Sequence, residues 1–438
     1  MKEMLKQLGL GSASELFAVI PEEAMLHEPA IPEPMDEKDL MMHIYRVAKK
    51  NLYAGKVPSF LGAGVYNHFI PAAVEEIVSR SEFYTSYTSY QPEISQGMLQ
   101  TLFEYQSFMV ELTGMDVVNA SMYDWASALG EAALMSARAT KRRRVLIPEN
   151  ILPERRMVLE TYCTGPGIEI DTYSFDRETG EIDLESIRKK SGDDLAGIYV
   201  EIPNLFGVID SRISNIKPIL GDTPLLIVGA NPLLLSVIRP PAEMGADIVI
   251  GEGQMLGSHM NFGGPLLGIF GTKKKYIRTM PGRIIGATVD SNGNRAFTMT
   301  LQTREQHIRR SRATSNICSN EALSALTSAV YIAVMGGAGL RALAIENLER
   351  AERLASMLDE LPEIDSPLFS APHFNEFVID LPMAAREVNR LLLEKGIIGG
   401  LPLDFLGDDM KNRMVINTTE MHTDADYASL VSAIKEVV

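Results

Sequence analysis

A loop with the sequence GEGQMLGSHMNFGGP (251–265) contains a residue whose type decides what chemistry is open to it. Its two glycine clusters are typical of a turn that leaves a buried strand, here the apolar run ADIVI. In one large class of enzymes such a turn carries a lysine, whose amine binds a carbonyl cofactor covalently. Here the loop has Gln254 and no lysine, and an amide nitrogen is not a nucleophilic amine. The loop alone leaves open whether the chain is an enzyme without this residue or one part of an enzyme.

A second candidate is the loop FYTSYTSYQPEISQG, in which Tyr84, Tyr87 and Tyr90 are spaced by three and Gln91 follows. One interpretation is loop packing, with the hydroxyl groups bonded to nearby backbone. The other is that these hydroxyl and amide groups contact a small zwitterionic ligand. The residues alone leave both interpretations open.

Basic residues cluster at three places, each with a plain structural interpretation. The run KRRR (141–144) is typical of a solvated helix end rather than a nucleic-acid patch, and the lysines of TKKKY (272–276) are typical of a solvated strand end. The segment 295–312 holds five arginines, with Arg283 upstream. These arginines either bind a substrate carboxylate through a bidentate guanidinium or pair with the acids of the chain. The seven histidines show no metal-ligand spacing.

The composition excludes several classes of protein. The chain has 438 residues, 46% of them hydrophobic and 22% charged, which predicts a soluble protein of two or three domains. Its net charge of −16 argues against binding to nucleic acid or to anionic membranes. Two cysteines, Cys163 and Cys318, give no disulfide framework and favour the reducing cytoplasm. We identify no secretory leader and no apolar stretch of transmembrane length.

The elements that would position these residues follow an α/β pattern. Residues 1–84 predict an N-terminal arm and linking segment, in which SASE (12–15) has the pattern of a capping box. Residues 85–320 contain five apolar runs, including RVLIP, LAGIYVEIP and ADIVIGEG, which alternate with helical stretches. Such runs predict a mostly parallel sheet that is buried on both faces. Residues 321–438 predict two helices joined at GGAG and then a small α/β domain.

Long and unusual strings give the chain a specific resemblance. They include FLGAGVYNHFIP (60–71), EFYTSYTSYQPEISQG (82–97), IVGANPL (227–233) and TLQTREQHIRRSRATSNIC (300–318). Over nearly its whole length the chain resembles the P protein of the glycine cleavage system, glycine dehydrogenase (decarboxylating). In particular it resembles subunit 1 of the two-subunit form. The resemblance implies a fold-type-I pyridoxal phosphate (PLP) transferase fold, like that of aspartate aminotransferase, with a large sheet domain and a small C-terminal domain.

The resemblance also implies that this half of the protein lacks the cofactor. Gln254 stands where the other half has the cofactor lysine, and Val228 stands where it has the aspartate that faces the pyridine nitrogen. Trp125 replaces a small residue at the turn that would hold the phosphate. Arg312 stands where the family has lysine, and it receives no role.

What the resemblance implies for function is a shared active site. A homologous subunit 2 holds PLP and removes CO2 from glycine, and the aminomethyl group passes to the lipoyl arm of the H protein. The isolated chain would be inactive, and the assembly would be an α2β2 heterotetramer. We expect Tyr87, Tyr90 and Gln91 to reach the partner's site, and His68 to line the entrance for the lipoyl arm. The alternatives are a stand-alone PLP enzyme with an unrecognised lysine and a noncatalytic scaffold.

Overall fold

The computed structural model describes residues 1–26, 28, 30–317 and 320–438. These residues form two compact units, Met1–Tyr53 and Ala54–Val438. The predicted boundaries at 84/85 and 320/321 both lie inside the second unit, and they stay predictions. Cys163 is a buried free thiol, whereas Cys318 lies outside the described residues.

The first unit consists of short helices. Its α-helices are α1 (Lys2–Gln7) and α2 (Glu37–Ala48), and 3-10 turns cover Ala13–Phe17 and Glu22–Ala24. The capping box predicted at SASE is wrong, because the Ser12 side chain accepts no bond from the turn's backbone. Instead the Glu15 carboxylate accepts bonds from the Gly11 N–H and the Ser12 hydroxyl.

The second unit holds the remaining elements. Its α-helices are α3 (Ala72–Val78), α4 (Ser81–Tyr84), α5 (Gln96–Thr113), α6 (Trp125–Thr140), α7 (Pro153–Thr164), α8 (Leu184–Lys190), α9 (Ile216–Leu220), α10 (Gln306–Arg309), α11 (Ala322–Asp359), α12 (Ala385–Glu394) and α13 (Asp424–Val437). Its strands are β1 (Val117–Val118), β2 (Arg144–Pro148), β3 (Glu169–Tyr173), β4 (Leu195–Ile202), β5 (Leu225–Ala230), β6 (Ile248–Glu252), β7 (Gly268–Thr272), β8 (Ile284–Val289), β9 (Arg295–Thr300), β10 (Glu376–Asp380), β11 (Leu401–Pro402) and β12 (Arg413–Asn417).

A large sheet organises the second unit. Within the described residues its seven strands run in the order β1-β7-β6-β5-β4-β2-β3, and β2 to β6 are parallel to one another. Strands β7 and β1 join antiparallel at one edge, so the predicted mostly parallel sheet is confirmed. Strands β4, β5 and β6 are buried along their whole length, as their apolar sequences require. The loops that leave their carboxyl ends lie at one edge of the sheet, where α/β proteins place their sites.

Helices cover both faces of this sheet. On one face α6 packs its small side chains, such as Ala128 and Ala132, against β4 and β6. On the other face α5 and α11 pack together, with Leu99, Leu102 and Ala325 in one apolar cluster. Helix α5 ends at Gly114, which has the left-handed backbone (φ 70°) that glycine adopts at helix ends. The predicted helix end at this glycine is confirmed.

The C-terminal part forms a smaller sheet in the order β10-β12-β11, covered by α12 and α13. Thr423 caps α13 in a reciprocal pair with Asp426, which confirms the predicted cap. Helix α11 has a non-helical residue at Gly336 (φ 64°, ψ 170°), so two helices meet there as the GGAG sequence predicts.

Among the described residues, α11 is the one helix that is long and apolar enough to cross a membrane by length and composition. The expectation that no stretch reaches this length is therefore wrong. The first half of α11 is apolar because it lies in the protein core, where Leu326, Ala329 and Ile332 are buried against the cluster that contains α5.

Candidate functional site

The side chain of Gln254 is locked at the carboxyl edge of the sheet, just after β6. Its carbonyl accepts a bond from the Tyr66 N–H (3.0 Å), and its NH2 group donates to the backbone oxygens of Tyr66 (3.0 Å) and Ser258 (2.7 Å). Gln254 is fully buried. Its amide therefore ties the loop after β6 to the segment near residue 66, and both ends of the amide are used.

Two carboxylates bind the backbone at the N-terminus of α6, which is where the fold would hold a phosphate. Asp124 caps the helix by accepting from the Ser127 N–H (2.7 Å). Glu252 accepts from the N–H of Trp125 (3.3 Å) and also from those of Gln254 (3.0 Å) and Leu267 (2.7 Å). Burial is the main cause that raises the pKa of Glu252 to about 7, and the charge of Asp124 adds to it. The backbone N–H groups of Trp125 and Ser127 therefore already bind carboxylates of this chain.

Trp125 fills the space beside β5. The indole ring closely approaches Gly229, where an added Cβ would lie 2.7 Å from the ring. The indole N–H donates to the Tyr199 hydroxyl (2.8 Å), and the Arg155 guanidinium lies 3.7 Å above the ring centre. Val228 is buried in a different apolar cluster, with Met255 and Leu256, so the structure does not bring it to the indole.

An ion pair is buried next to the indole. Arg155 Nη1 lies 2.9 Å from Glu201 Oε1, and the same oxygen accepts a bond from the Tyr199 hydroxyl (2.7 Å). A second acid, Glu376, accepts from the Tyr66 hydroxyl (2.9 Å) and the Ala63 N–H. Burial raises the pKa of Glu376 to about 7, and the charge of Glu201 raises it further, against Arg155.

The cavity between these groups measures about 20 Å3, which is room for one water molecule. Residues from α6, α7, β4, β10 and the segment 63–66 line it. Ligand sites for molecules of cofactor size have volumes of roughly 300 Å3 or more. The described lining residues include no lysine, two acids already cap the N-terminus of α6, and the cavity is too small, so the residues here do not fit PLP.

The exposed tyrosine loop forms a second region of interest, and it is separate from the filled site. Tyr87 is 80% exposed and Tyr90 is 43% exposed, and Gln91 is exposed beside them. Arg283 Nη2 donates to the Tyr90 hydroxyl (2.7 Å), and its guanidinium lies 5.0 Å from the ring centre. Tyr90 is therefore held in place while keeping an exposed face.

Arg283 is itself fixed by its surroundings. Its Nε lies 3.6 Å from a carboxylate oxygen of Glu305, which also lies 3.6 Å from the His307 ring. The His307 ring meets Tyr90 edge-on at 5.6 Å. The four side chains form a small polar cluster, called here the Tyr90 cluster, at the base of the exposed loop.

His68 is buried rather than exposed at an entrance. Its Nδ1 lies 2.9 Å from Glu420, which also accepts bonds from the Phe69 N–H (2.7 Å) and the Asn347 amide (3.1 Å). Burial opposes the charge of Glu420, but these bonds and the neighbouring His68 hold its pKa at about 2. Within the described residues, His68 Nε2 has no hydrogen-bond partner.

The arginine-rich segment forms a structural contact at Arg304. This guanidinium donates to the backbone oxygens of Leu301, Met280 and Gly282, so neutral carbonyls rather than a carboxylate satisfy it. Arg312 is exposed. Among the described residues no group of three or more His, Cys, Asp or Glu side chains is arranged to hold a metal ion.

The family model described as glycine cleavage system P-protein matches residues 1–434. The chain belongs to this family. It is 46% identical over 438 residues to the "Probable glycine dehydrogenase (decarboxylating) subunit 1" of Thermococcus onnurineus, with 99% of this chain and 97% of the relative covered. The sequence strings that resemble the P protein are therefore explained by membership of this family.

A crystal structure of a P-protein glycine decarboxylase in inhibitor-bound form superposes with a TM-score of 0.92. It is 39% identical, and the match covers all of this chain and 98% of that one. The sphingosine-1-phosphate lyase of Burkholderia pseudomallei matches with a TM-score of 0.68 at 13% identity, covering 96% of this chain and 93% of its own. The fold is that of the fold-type-I PLP enzymes, as the sequence resemblance implied.

Sequence reasoning missed the acids and the arginine of the filled site. Arg155, Glu201 and Glu376 lie far apart in the chain, and no motif links them. A usable signal existed for Glu201 and Glu252, because each is a lone charge in a strand that is otherwise apolar and buried. A buried charge requires a partner.

Proposed function

We propose that this chain is subunit 1 of a glycine decarboxylase and that it acts with a homologous subunit 2 that holds PLP. The observation that carries this proposal is the filled site: Trp125, Glu252 and Gln254 occupy the position at which the fold places the cofactor. Close relatives of the same length are named as subunit 1, and that name implies a second subunit.

In this proposal the pair decarboxylates glycine and passes the aminomethyl group to the lipoyl arm of the H protein. The chain contributes Tyr87, Tyr90 and Gln91 to the partner's site. Their exposure supports this role: Tyr87 and Gln91 are exposed, and Tyr90 keeps an exposed face while its hydroxyl accepts a bond from Arg283. Arg283 is a positioning residue, since its bond to the Tyr90 hydroxyl orients that side chain.

We infer a supporting role for His68. Through Glu420 it fixes the segment that precedes α3, and Phe69 next to it is exposed and available to a partner. His68 thereby shapes the entrance for the lipoyl arm without contacting it. We further propose an assembly of two copies of each subunit, in the cytoplasm.

The test is reconstitution. This chain is purified alone, the homologous subunit 2 alone, and the two together after co-expression, each with PLP and lipoylated H protein. We expect glycine-dependent exchange of CO2 only in the pair. Borohydride reduction followed by peptide mass spectrometry is expected to find PLP on a lysine of subunit 2 and on no residue of this chain.

Two results contradict the proposal in different ways. If this chain alone binds PLP covalently and decarboxylates glycine, it is a stand-alone enzyme. If it neither co-purifies with subunit 2 nor changes its activity, it is a noncatalytic scaffold. Size-exclusion chromatography with light scattering measures the assembly independently of activity.

A further inference from the structure

A basic pocket lies at the opposite edge of the sheet, between the end of α6 and the start of β2. Its volume is about 380 Å3, within the range of small-molecule sites. Four cations line it, Arg138, Lys141, Arg142 and Arg143, and Leu134 and Ile168 form part of an apolar wall. No acidic side chain is among its described lining residues.

Three of these cations are held in place by neutral groups. Each guanidinium donates to a backbone carbonyl, which orients the side chain and leaves its positive charge in place. The bonds are Arg138 to Thr279 O (3.2 Å), Arg142 to Leu195 O (3.1 Å) and Arg143 to Pro166 O (2.8 Å). Lys141 and Arg143 are exposed where α6 ends, which confirms the predicted solvated helix end, and Arg142 is partly buried between them.

The next arginine in the run shows the contrast. Arg144 is paired with Asp194 (2.7 Å) and Asp171 (3.5 Å), so its charge is compensated. Around the pocket, Asp193 lies 3.9 Å from Arg142, and buried Glu131 acts electrostatically on Arg138. Asp194, which is already paired with Arg144, also acts electrostatically on Arg142, so four cations face three acids, one of them shared with Arg144. The partial negative charge at the end of α6 removes about half a charge more.

We propose that this pocket binds a phosphate group, either as the free anion or on a small organic molecule. Guanidinium groups match phosphate oxygens in geometry as well as charge. An excess of fixed positive charge is notable in a chain of net charge −16. The apolar wall fits the organic part of a phosphate monoester. The site lies at the amino edge of the strands, and it shares no lining residue with the filled site at the carboxyl edge.

Isothermal titration calorimetry of the full chain at low ionic strength tests the proposal with three probes: inorganic phosphate, adenosine monophosphate and adenosine. We expect the two phosphates to bind and adenosine not to bind. The variant R138Q/R142Q/R143Q is expected to weaken phosphate binding at least about tenfold. Binding of the monophosphate that is tighter than that of inorganic phosphate assigns the site to an organic phosphate, and equal binding assigns it to the free anion.

The matched control removes three positive charges at positions outside the pocket. R156Q/R188Q/K189Q changes exposed helix positions, two of which pair with a carboxylate on their own helix, and it is expected to bind phosphate as the wild type does. The single variant R143Q, at an exposed position, retains a readout if the triple variant folds poorly. The proposal is overturned if neither phosphate binds the wild type, if adenosine binds as tightly as its monophosphate, or if the control weakens binding equally.

Discussion

The filled site and the exposed tyrosine loop both contain tyrosine, arginine and glutamate, yet their polar groups are satisfied in opposite ways. In the filled site, Tyr199, Arg155 and Glu201 bond to one another and are buried. At the loop, Tyr90 receives one internal bond and Tyr87 extends into solvent. The same residue types thus stabilise the protein through internal bonds in one region and remain exposed for binding in the other.

This difference indicates that the chain separates the residues that stabilise it from the residues that are available for contacts. In the filled site the charged groups are paired internally, which stabilises the chain, and among the described lining residues the side-chain nitrogen of Asn231 is a buried donor without a partner. A loop with unused hydroxyl groups contributes little to stability and is free to bind a partner. Substitutions in the first region should therefore change the free energy of unfolding, and those in the second should change activity.

The largest expected effect follows Arg155→Met. The change leaves Glu201 and Glu376 buried without their cation, which should lower the free energy of unfolding by about 3–5 kcal/mol. Urea unfolding followed by circular dichroism measures it. The control is Arg156→Met, an exposed neighbour paired with Glu160, for which we expect a change within about 0.5 kcal/mol. Equal stability of the two variants would show that charge pairing does not hold the site together.

Gln254→Ala is expected to have the second-largest effect on the free energy of unfolding. It leaves the backbone N–H and oxygen of Tyr66 and the oxygen of Ser258 unsatisfied in a buried place, at a cost of about 2–4 kcal/mol. The same unfolding experiment applies. Gln100→Ala, at an exposed position on α5, serves as the control and should change stability by less than about 0.5 kcal/mol. A small loss at residue 254 would mean that water replaces the amide.

The pH dependence of stability separates the regions further. Glu376 has an ordinary pKa of 4.5 and a folded pKa of about 7, so its contribution is full below about pH 4.5 and is lost as pH rises through 7. Tyr66, Arg155 and Glu201 are the titratable groups that act on it. We expect the free energy of unfolding to fall by on the order of 1–3 kcal/mol as the pH rises from about 4.5 to about 7.

Glu376→Gln should reduce this pH-dependent loss of stability, since the amide cannot ionise and keeps an acceptor for the Ala63 N–H. Unfolding at several pH values between 4.5 and 7 provides the comparison. Glu252, whose pKa is also about 7, and Asp210, whose pKa burial raises to about 6, contribute to the part that remains. A fall that is unchanged in the variant would assign it to groups elsewhere.

The smallest effect on stability is expected at the loop. Tyr87→Ala should change the free energy of unfolding by no more than about 0.5 kcal/mol, because the ring is 80% exposed. In the assembled pair we expect kcat/KM for glycine to drop about tenfold, or about 1.4 kcal/mol. Met157→Ala, an exposed large side chain on α7, should leave both quantities near wild type. Full activity of the tyrosine variant would remove the loop from the partner's site.

The buried parallel strands could be predicted from the sequence because their signal is local. The run RVLIP coincides with β2, and LAGIYVEIP contains β4. Strand β3 has the sequence EIDTY and lies at the sheet edge, where its polar residues remain partly exposed, so no apolar run marks it. The hairpin β8–β9 was missed because its tip is polar and exposed.

For the filled site, the sequence predicts only which cofactor-binding residues are missing. The identities of Gln254 and Val228 exclude the lysine and the aspartate, and that conclusion requires no coordinates. What fills the site is a long-range arrangement: Tyr66 bonds to Glu376, which lies 310 residues away in the chain. Periodicity and spacing carry no information about such pairs, since only the packing of separate elements brings them together.

Trp125 is the only tryptophan of the chain. Its ring lies between a guanidinium and a tyrosine hydroxyl inside the filled site, so all indole fluorescence of this subunit originates at one buried point. Excitation of that single fluorophore gives an optical signal for this subunit without any label. It would follow the loosening of the pocket during denaturation separately from the melting of secondary structure.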